Sequence, residues 1–147
     1  MIDKTAKRSR ELFSPGYYCA ESVLMAVAEA KDIQSELIPM IATGFCSGVA
    51  RTGGTCGAVN GAIMALGLVF GRTDPSKPVD ESYDAVGEFL KAFQQKFQST
   101  NCQQLLKVDL GTDEGQNSFN SNNLIGQCLG YAEEATRMAM TIIEAKK

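Results

Sequence analysis

Apolar residues recur at steps of three and four along most of this chain, and strict alternation of apolar and polar residues is missing. That pattern predicts helices and no strands. The clearest stretch runs through Tyr83, Val86, Leu90, Phe93 and Phe97, with charged residues and glutamines between them. YYCAESVLMAVAEAKD places Ala20, Val23, Leu24, Val27 and Ala28 on one face, and Ser14-Pro15-Gly16 reads as the cap and proline that open its helix. ELIPMIATGF (36–45) turns helical at Pro39 and ends among glycines. CGAVNGAIMALGLVFG forms a further helix, closed by Gly71 and the turn signal Thr73-Asp74-Pro75. After a break at Ser99-Thr100-Asn101, CQQLLK gives a short helical turn. VDLGTDEGQNSFNSNN (108–123) is polar and rich in glycine and asparagine, and reads as a long loop. The last helix carries Leu124, Cys128, Tyr131, Ala135, Met138 and Ile142 on one stripe. The expectation is one all-α domain over residues 1–147, a helical bundle of four to five main helices.

Composition narrows the chemistry. The chain has 147 residues, 44% hydrophobic and 21% charged, ordinary values for a globular protein. A net charge of -3 leaves no basic excess to neutralise phosphates, so nucleic acid is excluded as a partner. The start, MIDKTAKRSR, lacks an apolar segment of the signal-peptide kind. The longest apolar run, AIMALGLVF (62–70), is far short of the ~20 residues that span a bilayer, so no membrane insertion is expected and a cytoplasmic location follows. Histidine is absent. This removes His general bases, Ser-His and Cys-His pairs, and every metal site containing His.

Cysteine occurs five times, at 19, 46, 56, 102 and 128. Cytosolic thiols stay mostly reduced, so a patterned set points to redox or metal chemistry rather than a disulfide scaffold. The plain alternative is packing, since cysteine is among the most buried residue types. Four of the five fall near expected helix N-termini: Cys56 after Thr55 as cap, Cys102 after Asn101, and Cys19 and Cys128 about one turn inside their helices. Unpaired N–H groups and the macrodipole favour a thiolate there. Cys46, between Gly44 and Gly48, falls in a loop.

The densest chemistry is RTGGTCGAVNG (51–61). Gly53 and Gly54 allow a turn with positive φ before the cap. Gly57, Gly61 and Ala65, beside Ala58 and Ala62, form a ridge of small residues. Such a ridge lets a partner helix come close enough to bring its own cysteine to Cys56. Arg51 reads first as a solvated surface charge, and second as a holder of a thiolate, a carboxylate or a bound anion. The segment lacks the Gly-Lys-Ser/Thr ending of a phosphate loop and the βαβ unit of a dinucleotide site, so neither applies. No two cysteines stand two to four residues apart, as structural zinc sites usually require. A four-thiolate site built from separate helices stays open. Glu133-Glu134 and Asp113-Glu114 read as solvated faces.

Cys56-Gly57-Ala58-Val59-Asn60-Gly61 and the segment Gly16-Tyr17-Tyr18-Cys19-Ala20-Glu21-Ser22 resemble the redox protein family named after its motif, C_GCAxxG_C_C. Cys102 and Cys128 match that family's downstream cysteines by order and spacing. Cys46 has no counterpart. The resemblance implies a thiol redox protein of prokaryotic type, with Cys56, Cys19, Cys102 and Cys128 as its site and Gly54, Gly57, Ala58 and Gly61 as the structural motif. On this reading Cys56 is the attacking thiolate of lowered pKa, Cys19 resolves it, and Cys102 and Cys128 form a second pair or relay. The reaction is thiol–disulfide exchange with a redox partner protein, and no cofactor is required. A second class of function is metal binding, with zinc or an iron–sulfur cluster on the same four cysteines. A third is a helical interaction module with cysteines as buried filler. Met138 and Met140 offer an adaptable surface for a homo-oligomer.

Overall fold

The structure, a computed structural model, describes residues 1–146. Among them run α1 (Ile2–Glu11), α2 (Cys19–Ala30), a 3-10 segment (Met40–Phe45), α3 (Cys46–Arg51), α4 (Gly57–Phe70), α5 (Asp80–Phe97), α6 (Cys102–Leu106), α7 (Asp113–Ser121) and α8 (Ile125–Ala145). The described residues form no strand ladder, only an isolated antiparallel bridge between Thr55 and Asn101. The all-helical expectation holds, and four to five main helices is an undercount.

The extra helices have physical reasons to be quiet in the sequence. Helix α1 buries Thr5, Ala6 and Ser9 rather than large apolar residues, so it carries almost no apolar stripe. The stretch expected to be one loop over 108–123 holds α7. There the Thr112 side chain accepts from the Gly115 N–H, and Asp113 and Glu114 occupy the first turn. Cap and acidic turn together start a helix whose face is polar. Ser14-Pro15-Gly16 does not open α2. The Gly16 N–H donates to Phe13 O and the Tyr17 N–H to Leu12 O, so this segment closes off α1. Helix α2 starts later, where the Tyr18 N–H donates to the Glu21 carboxylate.

The core lies between α2, α4 and α8, with α1 against α2 and α8, and α5 against α4 and α8. Helices α2 and α4 meet at the small-residue ridge. A Cβ placed on Gly61 would lie 2.7 Å from Ala20 O and 3.0 Å from its Cα, so the two backbones nearly touch. A Cβ on Gly57 would lie 3.0 Å from the Cys19 sulfur. The close helix does bring a cysteine to this motif, as the ridge implies. Helix α5 is rotated from the expected stripe: Ala85, Phe89 and Phe93 are fully buried, and Tyr83 is 70% exposed. Alanine at 85 lets Phe89, which the spacing argument passed over, reach the core. In α8, Met140 is fully buried in the core, and Met138 is half-buried against it. No described helix is long and apolar enough to cross a membrane.

Candidate functional site

Cys19, Cys56, Cys102 and Cys128 line one cavity of about 140 Å³. They come from four segments: the first residue of α2, the N-cap of α4, the first residue of α6, and the first turn of α8. Cys19, Cys56 and Cys102 are buried, and Cys128 is half-buried. All are free thiols, as is Cys46. Cys46 lies off this cavity, buried, with its thiol toward Ala42 O at 3.7 Å.

Backbone pairing places Cys56 and Cys102. Across the Thr55–Asn101 bridge the Cys56 N–H donates to Thr100 O (2.7 Å) and the Cys102 N–H to Gly54 O (2.9 Å). Thr55 is therefore a bridge residue and not the cap of α4; Cys56 itself takes the cap position. Asn101 does cap α6, accepting from the Gln104 N–H, and its own amide donates to Gly53 O (2.7 Å). Gly53 has φ +73°, as expected of this turn, while Gly54 does not have positive φ. Gly54 serves by closeness instead: its N–H donates to Gly48 O at 2.8 Å, and a Cβ there would press on Val49.

The segment Cys46–Arg51 is unusual. Ser47, Gly48, Val49, Ala50 and Arg51 all have positive φ, between 55° and 67°, so this turn is left-handed. Each non-glycine residue held this way costs roughly 1–2 kcal/mol, and such strain tends to collect at functional sites. Here both ends of the turn, Ser47 and Arg51, line the cysteine cavity. The Ser47 N–H points at the Cys19 sulfur. Gly48 packs on Cys102, where a Cβ would come within 2.6 Å of the Cys102 Cβ. A side chain at 48 would therefore push Cys102 off the wall.

Electrostatics correct one expectation. Burial pushes the Cys56 thiol up from its ordinary value, and the neighbouring Cys19 and Cys102 add to that effect. The Ala58 and Val59 N–H groups pull the other way, but burial is the larger effect. The helix N-terminus therefore does not give Cys56 a lowered pKa. Desolvation likewise raises Cys19, Cys102 and Cys128, and pushes Cys46 to about 11. Near neutral pH these thiols stand protonated. Ionisation of Cys128 is further disfavoured by its closeness to Cys19, Cys56 and Cys102, and that of Cys46 by its closeness to Cys19.

The rest of the wall was not legible as a site in the sequence. Tyr131 lies one turn beyond Cys128, and its hydroxyl donates to Leu105 O (3.4 Å) or to Gln127 Oε1 (3.2 Å). Phe119 and Gln116 reach the cavity from α7, and Leu105 and Leu106 from α6. Arg51 is exposed, as the first reading had it, yet it also lines the cavity. No three Cys, Asp or Glu side chains among the described residues are grouped so that they could hold one metal ion as they stand.

Residues 17–142 match the family described as "Putative redox-active protein (C_GCAxxG_C_C)". A protein of Archaeoglobus fulgidus, named only as an uncharacterized protein, is 39% identical over 67 residues, 45% of this chain and 44% of its own length. The matched stretch thus spans less than half of that relative. No solved structure matches the chain.

Proposed function

The chain belongs to the C_GCAxxG_C_C family, and from that premise we propose that it is a thiol redox protein whose centre is Cys19, Cys56, Cys102 and Cys128. The observation that carries this reading is convergence: segments spread from residue 19 to residue 128 deliver four thiols to one cavity. Cysteines buried merely as filler have no reason to share a wall. Two thiols of the centre reduce a disulfide in two exchanges. The first sulfur attacks, forms a mixed disulfide and releases one thiol. The second sulfur then attacks the mixed disulfide and releases the other, leaving an intramolecular disulfide. Access favours Cys128 as the first attacker, in place of Cys56, because it is the least buried of the four. Cys56 and Cys19, which line the same cavity, serve as resolving thiols. Raised thiol pKa values give the reduced form no extra stabilisation as thiolate, which suits a donor of electrons rather than a strong oxidant.

Substitution of Cys128 by Ser tests the order of events. The variant should react with a small disulfide at least about tenfold more slowly than the parent, because only buried thiols remain. In Cys56→Ser the first step should keep its rate and the mixed disulfide should persist, visible as an added mass on the peptide holding Cys128. Equal rates in Cys128→Ser and the parent would sink this assignment.

A second reading rests on the same convergence: zinc or an iron–sulfur cluster held by these four cysteines. As they stand, no three Cys, Asp or Glu side chains among the described residues group around one ion, so these cysteines would have to move to hold zinc or a cluster. Metal and sulfide content of anaerobically purified protein decides it, near-stoichiometric content favouring this reading over exchange.

A further inference from the structure

The cavity wall also indicates what the centre reacts with, an inference that rests on the thiol redox reading above. Arg51 is the one charged side chain on that wall. It is exposed, and no ion pair among the described residues involves it. Most of the remaining wall is apolar, including Phe13, Tyr18, Leu110, Phe119 and Ile125. A volume near 140 Å³ is close to that of an apolar cavity of ~150 Å³ that takes up one benzene ring. Cys128 is half-buried on the cavity wall and the other three thiols are at most 8% exposed, so a disulfide on a folded partner would have to thread its chain into a space of that size to reach any of them. A small molecule would not.

We propose that the substrate of the centre is a low-molecular-weight disulfide of a compact, apolar mercapto acid. One half-molecule occupies the cavity with its carboxylate on Arg51 and its sulfur toward Cys128, and the other half leaves into solvent. Atoms and electrons balance over the two exchanges. The Cys128 sulfur bonds to the bound half, and the departing half takes up the proton that Cys128 gives up. A second centre thiol then bonds to the Cys128 sulfur, and the bound half leaves as a thiol with the proton that this second thiol gives up. The disulfide is reduced by two electrons, and the cysteine pair is oxidised by two.

The test uses two reagents on the full chain under native conditions: the dianionic aromatic disulfide 5,5′-dithiobis(2-nitrobenzoate) and the neutral 4,4′-dithiodipyridine. A chain of net charge -3 should by itself disfavour the anion. The anionic-to-neutral rate ratio of the parent should fall roughly threefold or more in Arg51→Gln, as for loss of a partly exposed charge pair. It should be largely kept in Arg51→Lys and shrink at high salt. An unchanged ratio in Arg51→Gln overturns the proposal. So does an equal slowing with both reagents, which would make Arg51 a structural residue, and so does reduction of a protein disulfide faster than of either reagent. Released thiol keeps the two claims apart. Two equivalents released with the neutral reagent and an unchanged ratio leave the redox reading standing and remove this one. One equivalent with both reagents and an Arg51-dependent ratio remove the redox reading and this proposal with it, leaving Arg51 only as a contact for an anion.

Discussion

Replacing Phe93 by Ala should lower the stability of this protein by about 3–5 kcal/mol, the range for deleting a fully buried aromatic side chain. For a chain of this length that corresponds to a drop in Tm of roughly 10 °C or more. Phe93 is 0% exposed and sits at the middle of an aromatic run, with ring centroids 6.0 Å from Phe89, 4.8 Å from Phe97 and 6.3 Å from Tyr131. Phe97 meets Tyr131 edge-on at 4.9 Å. Because Tyr131 lines the cysteine cavity, the cost should not stay in the core. Loss of the ring behind it should loosen that wall and speed alkylation of the thiols under native conditions. Chemical denaturation checks the first effect and timed alkylation the second. A loss under about 1 kcal/mol would mean that α5 and α8 are not packed through these rings.

The second large effect is expected at Gly61. In an open helix position, Gly→Ala stabilises by roughly 0.5–1 kcal/mol. Gly67, one helix face away in α4, is such a position, since a Cβ there meets nothing within 4 Å. At Gly61 the same Cβ would sit 2.7 Å from a backbone oxygen of α2. A rigid backbone cannot step aside as a flexible side chain can, so overpacking of roughly 1–3 kcal/mol outweighs the helix-propensity gain. Gly67→Ala should therefore raise the midpoint of unfolding and Gly61→Ala should lower it, two methyl groups in one helix acting with opposite sign. The Gly61 variant should also separate α2 from α4 and so change the reactivity of Cys19, which the same ridge presses against Gly57. If both variants stabilise, the close crossing of α2 and α4 is not there.

The ridge is the part of the site that the sequence carries most openly. Four-residue spacing of Gly57, Gly61 and Ala65 is a direct record of a neighbouring backbone, and the position of Asn101 before Cys102 is a direct record of a cap. Other parts leave weaker traces. Helix α1 packs through threonine, alanine and serine, and α7 rests on its cap and acidic first turn, so neither shows the apolar repeat that identifies a helix. The left-handed turn at Ser47–Arg51 has one glycine in five positions; valine, alanine and arginine announce nothing of their positive φ. The thiol pKa values depart from the expected direction for a related reason. Position at a helix N-terminus is visible in the sequence, whereas the burial that outweighs it comes from residues as distant as Tyr131 and Phe119. Convergence itself could be inferred only through the family motif, because Cys19 and Cys128 are far apart in the chain and meet through α2, α4 and α8.

The central claim is that Cys19, Cys56, Cys102 and Cys128 work as one redox centre from which Cys46 is excluded. The most direct measurement is to oxidise the fully reduced, folded protein with a small disulfide, quench with acid, and map every cysteine by peptide mass spectrometry. The predicted result is a disulfide, or two, drawn from those four alone and reversed by dithiothreitol, with Cys46 a free thiol throughout. Oxidation of Cys46 as readily as the others, or five thiols that stay unreactive until the protein is unfolded, would contradict it.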